Sequence, residues 1–122
     1  MELSQAKYKS GIYIGNVLEV RKEENRALFQ VLAVLTHPNQ GDLHHPKQID
    51  VPFFHERKAL AYLEKAWVPF STVKPYEGEL PDYELSLKAA WEAACERLRS
   101  DDSDWAVKSL QLLQEVRKEY RF

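Results

Sequence analysis

Residues 27–36 read ALFQVLAVLT, and this stretch decides the fold because eight of its ten residues are apolar. Its mixture of Val, Leu and Phe without a polar face is typical of a strand that is buried on both sides. In an antiparallel hairpin, such burial requires a second layer of structure over the sheet. The sequence must therefore supply both a partner strand and a covering element.

The partner strand is predicted directly before this stretch. In residues 12–20 the side chains alternate, with Ile12 and Ile14 on one face and Tyr13 on the other. The polar residues 22–26 form a break of the length that joins two antiparallel strands. We therefore predict a β-hairpin that spans residues 12–36.

The covering element is predicted in residues 81–122. Pro81 and Asp82 suit the start of a helix, and apolar residues then recur at helical spacing as far as Leu98. Residues 100–103 end this helix and cap a second one, whose apolar stripe includes Trp105 and Val116. Because the connection is short, the two helices are expected to lie antiparallel.

The middle of the chain is expected to complete the sheet. We predict a loop over residues 37–50, a short strand at 51–54, a short helix at 56–67 and a last strand at 72–76. The fold class is thus α+β in a single domain, residues 1–122. A small antiparallel β-sheet or SH3-like barrel over about residues 7–80 precedes a C-terminal antiparallel helical hairpin, residues 81–122.

Composition excludes several classes of function. The 122 residues include 17 basic and 19 acidic side chains, and a net charge of −2 gives no general attraction to nucleic acid. Cys95 is the only cysteine, so no intramolecular disulfide can form. No stretch approaches the roughly 18 apolar residues of a membrane span. We expect a cytoplasmic protein that does not insert into the membrane.

The histidines are the strongest chemical lead in the sequence. His37, His44 and His45 lie in the predicted loop with Asp42, and His55 follows it. Together these five side chains could bind a metal, although their spacing matches neither HExxH nor a Cys/His zinc pattern. The alternative is that the loop side chains bond to their own backbone and hold an irregular segment in shape.

Other catalytic patterns are missing from the sequence. The four glycines form no phosphate-binding loop, and no serine has the setting of a nucleophile elbow. The triplet His55-Glu56-Arg57 has a faint likeness to the phosphoacceptor box of sensor histidine kinases, but it also suits the start of a helix. The sequence therefore predicts no catalytic residue and no cofactor.

A set of short blocks keeps a characteristic order along the chain: HP (37–38), QGDLH (40–44), DVPFFHER (50–57), ALA (59–61), VKPYEG (73–78) and PDY (81–83). In these blocks, and in YIG at residues 13–15, the chain resembles the kinase-associated protein B family of spore-forming bacteria. The likeness spans most of the chain. The family is also called kinase-associated lipoprotein B, but a lipid anchor requires a cysteine just after a signal sequence and Cys95 lies far downstream, so this sequence does not itself support the lipoprotein label.

The resemblance implies an accessory factor, which a membrane-bound sporulation sensor histidine kinase needs in order to feed phosphoryl groups into the sporulation phosphorelay. It implies no active site. We predict that Asp42, His44, His55 and Arg57 contact the kinase. The alternatives are a metal-binding enzyme that uses the five histidine-loop residues, and a scaffold that dimerises through its helical hairpin.

Overall fold

The computed structural model describes residues 2–41 and 54–122. Five strands form one antiparallel sheet in the order β4-β3-β2-β1-β5. The elements are β1 (Ser4–Tyr8), β2 (Gly11–Arg21), β3 (Arg26–Thr36), β4 (Lys65–Pro69), β5 (Lys74–Pro75), α1 (Tyr83–Arg99) and α2 (Asp104–Arg117). This arrangement confirms the predicted α+β class, with a small antiparallel sheet followed by two helices.

The predicted hairpin is the long pair β2 and β3. A short 3-10 turn joins the strands, and Asn25 closes it in the left-handed region at φ 51°. Along β3 every second side chain is buried, beginning with Ala27, Phe29 and Val31. The side chains between them are mostly half-buried, so one face of the strand is fully covered and the other only partly.

The structure corrects the helix predicted at residues 56–67. Residues 54–64 contain neither helix nor strand, and β4 begins at Lys65. The Leu63 N–H donates to the Val31 carbonyl oxygen at 2.7 Å, and the Val31 N–H donates to the Glu64 carbonyl oxygen at 2.9 Å. These bonds to β3 draw the segment into the sheet, and a local helical periodicity cannot outweigh them.

Two further elements differ from expectation. Strand β1 was not predicted, although it lies between β2 and β5 in the sheet. The last strand is shorter than residues 72–76, because only Lys74 and Pro75 pair with β1, and a 3-10 turn at Phe70–Thr72 precedes them. The strand predicted at 51–54 falls almost entirely outside the described residues.

The helical hairpin begins at its predicted caps. Asp82 accepts a hydrogen bond from the Leu85 N–H, and Ser103 accepts one from the Ala106 N–H. Helix α1 also bonds to the sheet, because the Ser86 Oγ accepts the Val34 N–H at 2.9 Å. The Trp91 indole N–H donates to the Leu113 carbonyl oxygen at 2.8 Å and joins the two helices.

The core has two adjoining clusters. The larger one lies between the sheet and α1 and contains Tyr13, Phe29 and Leu87. The smaller one lies between α1 and α2 around Trp91 and Leu113. Tyr120 and Phe122, which follow α2, pack against both clusters. The segment after α2 therefore links the sheet core to the helical core.

Candidate functional site

The chain segments on either side of residues 42–53 are hydrogen bonded to each other. The Gly41 N–H donates to the His55 carbonyl oxygen at 2.8 Å. The Gln40 side chain, only 4% exposed, donates from Nε2 to the Arg57 carbonyl oxygen at 2.9 Å and accepts the Arg57 N–H on Oε1 at 2.7 Å. The Gln40 amide thus pairs with both the N–H and the carbonyl oxygen of Arg57, as the backbone of a neighbouring strand would. We call residues 37–41 and 55–59 the loop base.

The Arg57 side chain strengthens the loop base. Its Nη1 donates to the carbonyl oxygens of Asn39 at 2.8 Å and Gly41 at 3.1 Å. Gly41 has φ +97°, and a Cβ there would lie 3.1 Å from the Phe54 ring. The turn at Gly41 therefore requires a glycine for its backbone angle, and the Arg57 guanidinium binds the turn's carbonyl groups.

A buried histidine connects the loop base to the end of the chain. The His37 Nε2 lies 2.7 Å from the Tyr120 hydroxyl, which also accepts the Ala59 N–H at 3.0 Å. The His37 Nδ1 lies 3.0 Å from the Pro38 carbonyl oxygen, which can only accept. The proton is therefore on Nδ1, and Nε2 accepts the hydroxyl proton of Tyr120.

The electrostatics of this network keep both groups neutral. Burial, which is the largest effect, and the nearby positive charge of Arg97 together lower the pKa of His37 to about 4, against the hydrogen bond to Pro38. Burial also raises the pKa of the Tyr120 phenol. At neutral pH, Tyr120 is thus a hydrogen-bond donor and His37 an acceptor.

The structure places two of the four predicted kinase-contact residues in the loop base. His55 is exposed, and Arg57 is half-buried because of its bonds to Asn39 and Gly41. Asp42 and His44 lie outside the described residues, so the grouping of all four stays a prediction.

Only part of the predicted metal-binding set lies in the described part of the chain. Within residues 2–41 and 54–122, no three His, Cys, Asp or Glu side chains lie close enough to bind a metal ion. Both ring nitrogens of His37 form hydrogen bonds. His55 does not belong to any group of three potential metal ligands among the described residues. Asp42, His44 and His45 lie outside this part of the chain. No observation therefore favours the metal-dependent enzyme.

Two residues that organise the loop base were not predicted from the sequence. Gln40 lies among turn-forming residues, where an amide side chain has no distinctive pattern. Tyr120 lies four residues after Val116, a spacing that predicts membership of the apolar stripe of the second helix. Its hydroxyl bonds to a residue 83 positions earlier, and no local pattern reports such a distant pairing.

The length and hydropathy of the described helices bear on membrane insertion. None of the helices in residues 2–41 and 54–122 is both long and apolar enough to cross a bilayer.

Comparison with known proteins gives consistent matches. The family model for kinase associated protein B matches residues 8–121. The kinase-associated lipoprotein B of Bacillus subtilis (strain 168) is 55% identical over 113 residues, which cover 93% of this chain and 87% of that protein. The crystal structure of kinase-associated protein B from Bacillus cereus is 42% identical and superposes with a TM-score of 0.84, covering 99% of this chain and 96% of that one.

Proposed function

Because the chain belongs to the kinase-associated protein B family, we propose that it is a noncatalytic accessory protein of a membrane-bound sporulation sensor histidine kinase. Its role is to help that kinase feed phosphoryl groups into the sporulation phosphorelay. The protein acts in the cytoplasm and is recruited to the membrane through the kinase. It needs no cofactor for this role.

The observation that supports the proposal is the bonding within the loop base. Gln40, Gly41 and Arg57 fix the two points between which residues 42–53 run. Binding surfaces are commonly formed by loops on a rigid scaffold, because a fixed scaffold reduces the entropy that is lost on association. The loop base is such a scaffold. It contains the exposed His55, and Asp42 and His44 belong to the segment that joins its two halves along the chain.

The chemistry of the loop base is suited to binding. Arg57 donates to two carbonyl oxygens, and both nitrogens of His37 are hydrogen bonded. These groups hold backbone in place and have no arrangement in which one activates another as a nucleophile. The proposed contribution of the protein is therefore binding energy.

An accessory protein changes kinase output by binding one kinase conformation more tightly than another. A ligand with equal affinity for two conformations does not shift the equilibrium between them. A 100-fold preference for one conformation is worth about 2.7 kcal/mol, which can make a moderately disfavoured conformation the more populated one. The kinase conformation that is favoured by this protein is the one that transfers phosphoryl groups onward.

The test is a titration of the protein against the reconstituted membrane kinase, with binding and autophosphorylation followed together. We expect saturable binding and a changed phosphorylation rate. Replacing His44 and His55 together by Ala should weaken binding at least tenfold, which corresponds to the loss of about 1.4 kcal/mol. The control is Glu23→Ala, in the exposed turn between β2 and β3, and it should bind normally.

Two results would contradict the proposal at different levels. If the folded protein neither binds the kinase nor changes its phosphorylation, the role as a direct kinase regulator is wrong. If binding occurs but a variant with Asp42, His44 and His55 all replaced binds as well as the parent, the kinase contacts another surface.

A further inference from the structure

A cavity of about 220 Å³ lies between the loop base and the helical hairpin. Residues 38–40 form one side, and residues from α1, α2 and the connection between them form the other. Its apolar lining includes Ala94, Leu98 and Leu113, and Trp105 adds an aromatic side chain. The cavity is smaller than the roughly 300–1,000 Å³ of pockets for drug-sized ligands, so it suits a ligand of about ten non-hydrogen atoms.

Two polar groups of the lining have no partner among the residues that the structure describes. Arg97 is exposed, and its guanidinium has no hydrogen-bond or ion-pair partner among residues 2–41 and 54–122. Ser109 is 1% exposed, and its buried Oγ has no hydrogen-bond partner in the described part of the chain. A buried hydroxyl without a partner is costly, and a guanidinium offers several donors to a carboxylate, so both groups favour a ligand.

We propose that this cavity binds a small carboxylate with an apolar body. The carboxylate pairs with Arg97 at the exposed side, and the apolar body contacts Leu98, Leu113 and the Trp105 ring. The Ser109 hydroxyl, which can rotate, donates to a ligand oxygen. The proposal goes beyond the kinase-regulating role, because it assigns a ligand to a cavity whose lining includes neither His55 nor Arg57.

The charges around the cavity decide how the proposal must be tested. Asp101 also lines the cavity, and its Oδ1 accepts the Ser103 N–H at 3.0 Å. A second carboxylate nearby opposes an anion, so binding of an acid requires that Arg97 outweigh Asp101. A comparison of an acid with its uncharged amide measures this balance directly.

The experiment is an NMR titration of the full chain with phenylacetate, followed in ¹H–¹⁵N spectra without any kinase present. We expect saturable shifts at the Trp105 indole N–H and at the amides of Asn39 and Gln40, with a dissociation constant of about 1 mM. Phenylacetamide should bind at least about tenfold more weakly, because it cannot form the charge-assisted bond to Arg97.

Variants identify the groups that carry the affinity. Arg97→Gln should weaken phenylacetate about tenfold. Arg99→Gln is the matched control, because Arg99 is an exposed arginine of the same helix that pairs with Glu96 and does not line the cavity. Ser109→Ala should weaken phenylacetate several-fold without lowering the melting temperature, since it removes a hydroxyl that has no partner.

The proposal is overturned if acid and amide bind equally well, if Arg97→Gln binds like the parent, or if the shifts do not saturate. A lower melting temperature for Ser109→Ala would show that the hydroxyl is already bonded, which contradicts its role as a ligand donor. Because the titration uses the protein alone, its failure leaves the kinase proposal standing. Failure to bind the kinase likewise leaves the cavity proposal standing.

Discussion

At the scale of single residues, Tyr120 is the most consequential side chain in the loop base. Its hydroxyl donates to the His37 Nε2 and accepts the Ala59 N–H, so one oxygen satisfies two groups from different segments. Buried polar groups are expensive when they lose their partners. The loop base therefore depends on a residue from the opposite end of the chain.

Replacing Tyr120 by Phe should destabilise the protein by about 2 kcal/mol, because the variant leaves the His37 Nε2 and the Ala59 N–H without this partner. Urea unfolding monitored by circular dichroism measures the change. Tyr62→Phe is the control, since Tyr62 is 55% exposed, and it should change the stability by less than about 0.5 kcal/mol. An equal effect of the two substitutions would contradict the role of the buried hydroxyl.

His37 predicts a loss of stability in mild acid. The unfolded chain takes up a proton as the pH falls through the ordinary histidine pKa of 6.5, whereas folded His37 takes it up only near its lowered pKa of about 4. Its contribution thus diminishes as the pH falls from 6.5 towards 4, by about 2 kcal/mol between pH 7 and pH 5.

The His37→Gln variant isolates this effect because it cannot titrate. The difference in unfolding free energy between the parent and this variant should decrease by about 2 kcal/mol from pH 7 to pH 5. A difference that stays constant over this range would show that His37 has an ordinary pKa.

At the scale of elements, the close contact of β2 with β3 depends on Gly15. A Cβ at this position would lie 2.0 Å from the Gln30 carbonyl oxygen, which belongs to the backbone and cannot move aside. Gly15→Ala should therefore destabilise the protein by about 4 kcal/mol or more. Chemical denaturation measures this change in unfolding free energy. Leu18→Ala is the control, because Leu18 lies in the same strand and is 47% exposed, and this substitution should destabilise the protein by about 1 kcal/mol or less.

Some elements can be predicted from the sequence and others cannot. Elements that are stabilised by contacts between neighbours in the sequence are predictable, whereas elements that depend on contacts between distant residues are not. The helices and their caps at Asp82 and Ser103 depend on neighbours within one turn, and they were predicted correctly. Strand β4 forms through pairing with β3, and its Trp67 lies opposite Leu28. The spacing of Leu60, Leu63 and Trp67 is helical, but this distant pairing determines the structure.

The same principle applies to the loop base. His55 and Arg57 are two of the predicted kinase-contact residues, and the structure places them beside Gln40 and Gly41. The bonds made by Gln40 and Tyr120 join residues that are far apart in sequence. Side-chain pairing over such distances leaves no periodicity or motif that a single sequence can reveal.

At the scale of the whole molecule, the segment after α2 joins the two core clusters. The Phe122 ring lies 5.7 Å from the rings of both Trp91 and Tyr120, measured between centroids. Lys58 in the loop base also forms an ion pair with Glu119. The segment after α2 therefore adds to the contacts that α1 already makes with the sheet.

The prediction of a single domain can be tested through these shared contacts. The parent should unfold in one transition that is the same by circular dichroism and by tryptophan fluorescence. Deleting residues 120–122 should lower the melting temperature by about 10 °C or more, because it removes two aromatic side chains from both clusters. Two separate transitions in the parent would show that the sheet and the helices are independent units.

The hydrogen bond between His37 and Tyr120 also has a consequence for the order in which the protein matures during synthesis. The β2–β3 hairpin leaves the ribosome early and can pair as soon as it emerges, whereas Tyr120 emerges 83 residues after its partner. A nascent chain can thus pair β2 with β3 before Tyr120 is available to the loop base. The complete loop base should consequently form only after Tyr120 has been synthesised.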